Sequence, residues 1–120
     1  MSSSTSIIIT HFDGWIIRKN LVTQEIEAET ITTVSYATGG VEIKIPFLRF
    51  IRYVKVEDQT DADEIRRVTV TVTNPPDSNP PKIKVVIRKS TKADTSTGDL
   101  IWSEASDGES RTLHILVKGT

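Results

Sequence analysis

The sequence contains no cysteine. That excludes a disulfide framework, a thiolate metal site and a cysteine nucleophile. Methionine occurs once, and leucine and alanine only 5 times each, so the residues that build helices are scarce. Aromatic residues make up 6% of the chain, too few to interleave with basic side chains as single-strand nucleic-acid binders require. Neither sign of charge dominates: 15 Lys and Arg face 16 Asp and Glu, for a formal net charge of -1. Nothing global therefore draws the chain to nucleic acid or an anionic membrane. The apolar run Ile7–Ile9 is too short for a signal h-region or a membrane span, and Met1 to Ser6 lacks a basic leader. These features predict a cytoplasmic protein, or one exported without a visible signal peptide.

What is abundant decides the class. There are 15 Ile, 11 Val and 16 Thr, and branching at Cβ suits a pleated surface. A length of 120 residues fits one domain. The expectation is a disordered tail over 1–6 and a single β domain over 7–120. The fold class is all-β: an antiparallel sandwich (jelly-roll or Ig-like) or a barrel of about seven to nine strands.

Local patterns set registers. Asp13-Gly14 between β-branched runs is a hairpin signal, pairing Phe12 with Trp15 and His11 with Ile16. Ile65–Thr73 and Lys82–Ser90 sort themselves in one register, with Thr73 opposite Lys82. Val72, Val70 and Val68 then meet Ile83, Val85 and Ile87 on one face, while Thr71 meets Lys84 and Arg67 meets Arg88 on the other. The Asn74–Pro81 connection, rich in Pro, is expected as a stiff loop outside any ladder. Leu100–Ala105 and Arg111–Lys118 are expected to form a hairpin around Asp107-Gly108, with Glu104 opposite Arg111 and Trp102 opposite Leu113 in the core. Two stretches resist a clean period. Ile31 falls off the face shared by Val22, Ile26 and Ala28, which calls for a bulge near Glu29–Thr30 or a short helix over Gln24–Glu29. Phe47–Val56 reads as a twisted or bulged strand, with a short helix from Pro46 as the rival.

No catalytic motif is present, and the only histidines, His11 and His114, lie far apart in sequence. The sequence points away from an enzyme, and no cofactor is expected. Asp58, Asp61, Asp63 and Glu64 form an acidic stretch that could offer calcium oxygen ligands, though without EF-hand spacing. The simpler reading is a solvated acidic loop. Arg67, Lys82, Lys84 and Arg88 share a strand face and are candidate anion contacts. The protein's own Glu57–Glu64 loop is the preferred source of neutralising charge. Phe12, Asp13 and Trp15 at a hairpin tip, Asp77 and Asn79 in the Pro-rich loop, and Asp107 in the last turn are candidate ligand contacts. The functional expectation is a non-catalytic binding module for carbohydrate or a protein surface. The alternative is a structural or assembly subunit forming a homo-oligomer through sheet edges or faces.

Overall fold

The Asp13-Gly14 turn has positive φ at both residues, 47° and 86°, as a type I′ hairpin requires. It joins β1 (Ile7–Phe12) to β2 (Trp15–Asn20), with Phe12 opposite Trp15 and His11 opposite Ile16. This is the register expected from the sequence. The computed structural model describes residues 6–90 and 100–120. All but residue 6 of the expected tail, and the polar connection beyond Ser90, lie outside the described residues.

Seven further strands follow: β3 (Ile26–Ser35), β4 (Val41–Lys44), β5 (Ile51–Asp58), β6 (Ile65–Thr73), β7 (Lys82–Ser90), β8 (Ser103–Glu104) and β9 (Ser110–Gly119). They form a five-stranded antiparallel sheet in the order β1-β2-β3-β9-β5 and a four-stranded one built on β4-β7-β6, with β8 also on β7. The molecule is an all-β sandwich. The described residues include no helix, hence none long and apolar enough to cross a membrane.

Alternation explains the core. Ala28, Leu113, Ile115 and Val117 of the larger sheet and Ile83, Val85 and Ile87 of the smaller one are fully buried. A large aliphatic side chain taken from water to such a site stabilises the fold by about 1.5–3 kcal/mol. The β6–β7 pairing is the one the sequence predicts, residue for residue, from Thr73↔Lys82 to Arg67↔Arg88. Tyr36 bolts the layers together at the end of β3. Its buried hydroxyl donates to Glu104 at 2.9 Å and accepts from the Ile87 N–H at 3.3 Å.

At the opposite end Asn74 closes the sandwich. Its Oδ1 accepts from the Ile51 N–H at 2.7 Å and its Nδ2 donates to the Ile51 carbonyl at 3.0 Å. The side chain thus replaces the ladder partner that β5 lacks there. Asn74→Ala leaves both Ile51 groups unsatisfied, and chemical denaturation should show a loss of about 1–3 kcal/mol. A loss under about 0.5 kcal/mol would mean water serves Ile51 equally well.

Several expectations need correction. Asp107-Gly108 does not close a hairpin: β8 pairs with β7 through Arg88↔Glu104 and Lys89↔Ser103, while β9 joins the other sheet between β3 and β5. The turn therefore carries the chain from one layer to the other. Trp102 accordingly does not face Leu113 in the core. It is half-buried, with the Arg67 guanidinium 4.6 Å from its ring, and Leu100 is 40% exposed. β3 runs without a helix or bulge, and Ile31 simply points to solvent, 64% exposed. In Phe47–Val56 the bulged-strand reading holds only from Ile51, where β5 slips register against β9 between Ile51 and Tyr53; residues 47–50 form a turn and a bend instead.

Candidate interaction edge

β1 is the outermost strand of the larger sheet, and all six of its residues are exposed. The hairpin register puts Ile7, Ile9 and His11 on the outer face with Asn20, Arg18 and Ile16. Ile8, Thr10 and Phe12 are on the inner face, where Phe12 meets the Phe47 ring edge-on at 6.3 Å and the strand otherwise stays exposed. Ile7, Ile8 and Ile9 are 46%, 47% and 58% exposed and Phe12 48%. An apolar strand this exposed on both faces is unusual in a sandwich, where one face should find the core.

The direction of the backbone groups follows from the turn. Residues flanking a two-residue loop exchange hydrogen bonds, and this repeats at every second pair. Phe12, Thr10 and Ile8 thus bond to β2. The Leu21 N–H reaches the Ser6 carbonyl at 2.6 Å and continues the same phase. The N–H and C=O groups of Ile7, Ile9 and His11 therefore point away from β2. Among the described residues nothing pairs with them.

The other sheet edges carry the devices that block strand addition. β5 presents Arg52, Lys55 and Glu57, β6 presents Arg66 and Arg67, and β4 is only 4 residues long with Glu42 and Lys44. β1 has no Asp, Glu, Lys, Arg or Pro.

A second cluster is ionic and closed. Arg111 donates from Nε to Asp58 at 2.9 Å and from one terminal nitrogen to Glu109 at 3.0 Å; the other terminal nitrogen bonds both Asp58 and Glu64. Arg66 donates to Glu64 at 2.9 Å, and Lys89 joins Glu109. The side chains of Arg111, Asp58 and Glu64 are 2%, 1% and 4% exposed. Burial pushes the Asp58 carboxyl up, but the Thr60 hydroxyl and N–H and the Arg111 guanidinium outweigh it, so its pKa lies below the ordinary value. Glu64 behaves alike: burial raises it, and Arg111 and Arg66 bring it below. Every member is occupied by a partner from within the chain. The cluster is therefore a closed ion-pair network that ties β5, β6, β7 and β9 together.

On the outer face of the larger sheet, Glu29 accepts from Arg18 at 2.9 Å and contacts His114 Nε2 at 3.1 Å. Those two hydrogen bonds, His114 first, lower the Glu29 pKa. Beside them lies an open depression lined by Gly14, Ile16, Thr30 and Ile31.

The residues singled out in the sequence do not converge. Trp15 is only 7% exposed and packs edge-on against Phe47 at 5.2 Å between ring centroids. It is no stacking platform, because β2 lies inside the sheet and its inner face is covered. Phe12, on the edge strand, is the tip's exposed aromatic, and Asp13 beside it is exposed. Asp77 and Asn79 are exposed in the loop next to Ile51, whereas Asp107 lies beyond the Ser110 end of β9. Because Ile51 pairs with Gly119 at the other end of that 10-residue strand, the two groups are separated by about 30 Å.

Asp58 and Glu64 are bound to Arg111, while Asp61 and Asp63 stay exposed. Among the described residues no three acidic or histidine side chains are grouped to hold a metal ion. The solvated acidic loop read from the sequence thus describes Asp61 and Asp63, whereas the side chains of Asp58 and Glu64 are buried in an ion-pair network. The acidic loop does neutralise basic residues, but they are Arg66, Lys89 and Arg111 on inward positions. Lys84, Arg67 and Arg88 remain exposed on the outer face, and Lys82 pairs with Glu42 at 3.2 Å. The β1 edge was missed because the hairpin signal pairs β1 with β2 but does not say which of the two lies at the edge of the sheet. No protein-family model, curated protein or solved structure matches this chain.

Proposed function

We propose that the protein is a non-catalytic protein-interaction module that engages its partner by strand addition along β1. The observation that carries this reading is the uncharged edge strand, exposed on both faces. Strand addition needs a free row of backbone donors and acceptors for affinity and apolar side chains for grip. Both are present, and none of the usual edge protection opposes them. Of the two partner classes expected from the sequence, the protein surface is favoured over carbohydrate. A sugar site needs a flat aromatic face beside convergent polar groups, whereas Trp15 is packed and the polar candidates are dispersed.

The test uses a synthetic peptide copying residues 6–12 and amide hydrogen exchange read residue by residue. At a peptide concentration about ten times Kd, exchange at Ile7, Ile9 and His11 should slow about tenfold. Amides of Ile8, Thr10 and Phe12, already bonded to β2, should change far less. No binding, or protection confined to another face, overturns the reading.

A further inference from the structure

Resting on that reading, we infer that the strand added to β1 is β1 of a second copy, antiparallel, about a two-fold axis through Ile9. The geometry of the free edge selects this register. In an antiparallel pair, residues that exchange hydrogen bonds must both point their backbone groups into the gap. On β1 those are Ile7, Ile9 and His11. Two such edges related by a two-fold axis can therefore match only odd residues with odd residues.

Centring on Ile9 pairs Ile9 with Ile9 and Ile7 with His11 twice, so every outward group of the three residues is used. Centring one residue earlier or later loses one of those three pairs. The Ile9 register also places side chains on matching faces. The outer faces of the two copies become continuous, with two Ile9 side chains flanked by Ile7 and His11 of opposite copies. On the inner face Ile8 meets Thr10 of the other copy.

Charge allows the same arrangement. Like charges meet across a two-fold axis wherever a charged residue lies on it, and that is unfavourable. β1 carries none, and His11 sits opposite Ile7 instead of its own copy. The edges at β4, β5 and β8 carry charge along their length; β6 carries it only at Arg66 and Arg67, but its Val residues face inward and are half-buried, unlike β1, which is exposed on both faces. The contact is a single short strand, smaller than the ~800 Å² per partner of a standard stable interface. The dimer is consequently reversible and forms with rising concentration.

Two measurements test the inference. The first is sedimentation equilibrium of the full chain and of Ile9→Pro. The Ile9 N–H faces outward, so proline there removes the central interchain donor without breaking a β1–β2 bond. Wild type should show a monomer–dimer equilibrium, and the variant should weaken it about tenfold or more.

The second exploits the absence of cysteine. Ile8 and Thr10 form a non-hydrogen-bonded cross-strand pair, whose short Cα separation suits a disulfide. Under mild oxidation a mixture of Ile8→Cys and Thr10→Cys should cross-link much faster than Thr69→Cys, an exposed control on the other sheet. Either edge variant cross-linking fastest with itself overturns the Ile9 register. A chain that stays monomeric at high concentration while still binding the 6–12 peptide overturns the second copy as partner but leaves the interaction reading standing. Amides of Ile7, Ile9 and His11 already protected in the dilute monomer would mean the chain covers its own edge, and both readings fall.

Discussion

Arg111→Met should destabilise the protein by about 3–5 kcal/mol, because breaking a buried ion pair from one side leaves the other side charged and unpaired. Met keeps much of the buried volume, so the loss reports charge and not a cavity. Asp58 and Glu64 are the stranded groups, with side chains 1% and 4% exposed. Arg66 and Lys89 remain to serve Glu64, but Arg66, at 3.9 Å, is the cation left near the Asp58 carboxylate, which otherwise keeps the Thr60 hydroxyl and N–H. Adding Asp58→Asn to Arg111→Met should therefore recover a large part of the loss. Urea denaturation of the single and double variants checks this. A single variant within about 1 kcal/mol of wild type would show that the network contributes little.

The pH dependence has a definite sign. The folded pKa values of Asp58, Glu64 and Glu109 lie below their ordinary values of 3.8, 4.5 and 4.5. For Glu109 the hydrogen bond from Lys89 is the main cause. A depressed carboxyl contributes stability that is fully present above its unfolded pKa and lost as pH falls through its folded one. Wild type should thus hold its stability from neutral pH to about 5 and lose it progressively below about 4. In Arg111→Met burial is no longer opposed by the guanidinium, so the folded pKa values of Asp58 and Glu64 rise. The acid loss should become shallower than in wild type, which equilibrium unfolding at a series of pH values would show.

The same network shows how far the sequence could be read. The β6–β7 register places Arg66 opposite Lys89, on the face that holds Val68 and Ile87. Inward charges at adjacent strand ends signal a buried ionic layer, but that signal covers only Arg66 and Lys89, two of the six members. Asp58 and Arg111 were not legible, because their faces depend on how β5 and β9 pair, and neither has a short hairpin to set its register. The Asp13-Gly14 hairpin was legible because a two-residue turn determines its own pairing. The Asp107-Gly108 turn shows the limit of that rule. A turn reverses the chain locally but does not say which sheet receives the next strand, and here it crosses between layers. Trp15 and Phe12 share one face of their hairpin, yet only one is buried. Which strand of a hairpin is the edge is a tertiary fact, and the candidate site turned on it. Ile31 carried a different lesson: a single exposed aliphatic residue needs no bulge to account for it.

Gly119→Ala should cost about 3 kcal/mol or more and lower the thermal midpoint by about 10 °C or more, since even tolerated overpacking costs 1–3 kcal/mol. A Cβ on Gly119 would fall inside the van der Waals shell of the Phe50 carbonyl oxygen, with the Phe50 carbonyl carbon 3.0 Å and Ile51 Cα 3.3 Å away. All three atoms are backbone, and the segment that carries them is held from several sides. The Thr120 N–H bonds the Phe50 carbonyl at 3.1 Å, the Arg49 N–H bonds the Thr120 carbonyl at 2.6 Å, and Asn74 grips both backbone groups of Ile51. The close approach exists because β5 slips register opposite Gly119, where Ile51 and Arg52 occupy the space of one residue on β9. A methyl group must therefore separate β5 from β9 and release the buried Ile51 side chain, 3% exposed. Gly108→Ala is the control: nothing lies within 4 Å of its Cβ, and its φ of +82° brings only the backbone penalty of about 1 kcal/mol. Thermal unfolding should rank Gly119→Ala well below Gly108→Ala. Because Gly119 lies across β3 and β2 from the free edge, the fraction of Gly119→Ala that remains folded should bind the 6–12 peptide with unchanged affinity. Equal midpoints for the two variants would mean that β5 can move away from β9 at little cost, and the pinch at Phe50 would lose its structural importance.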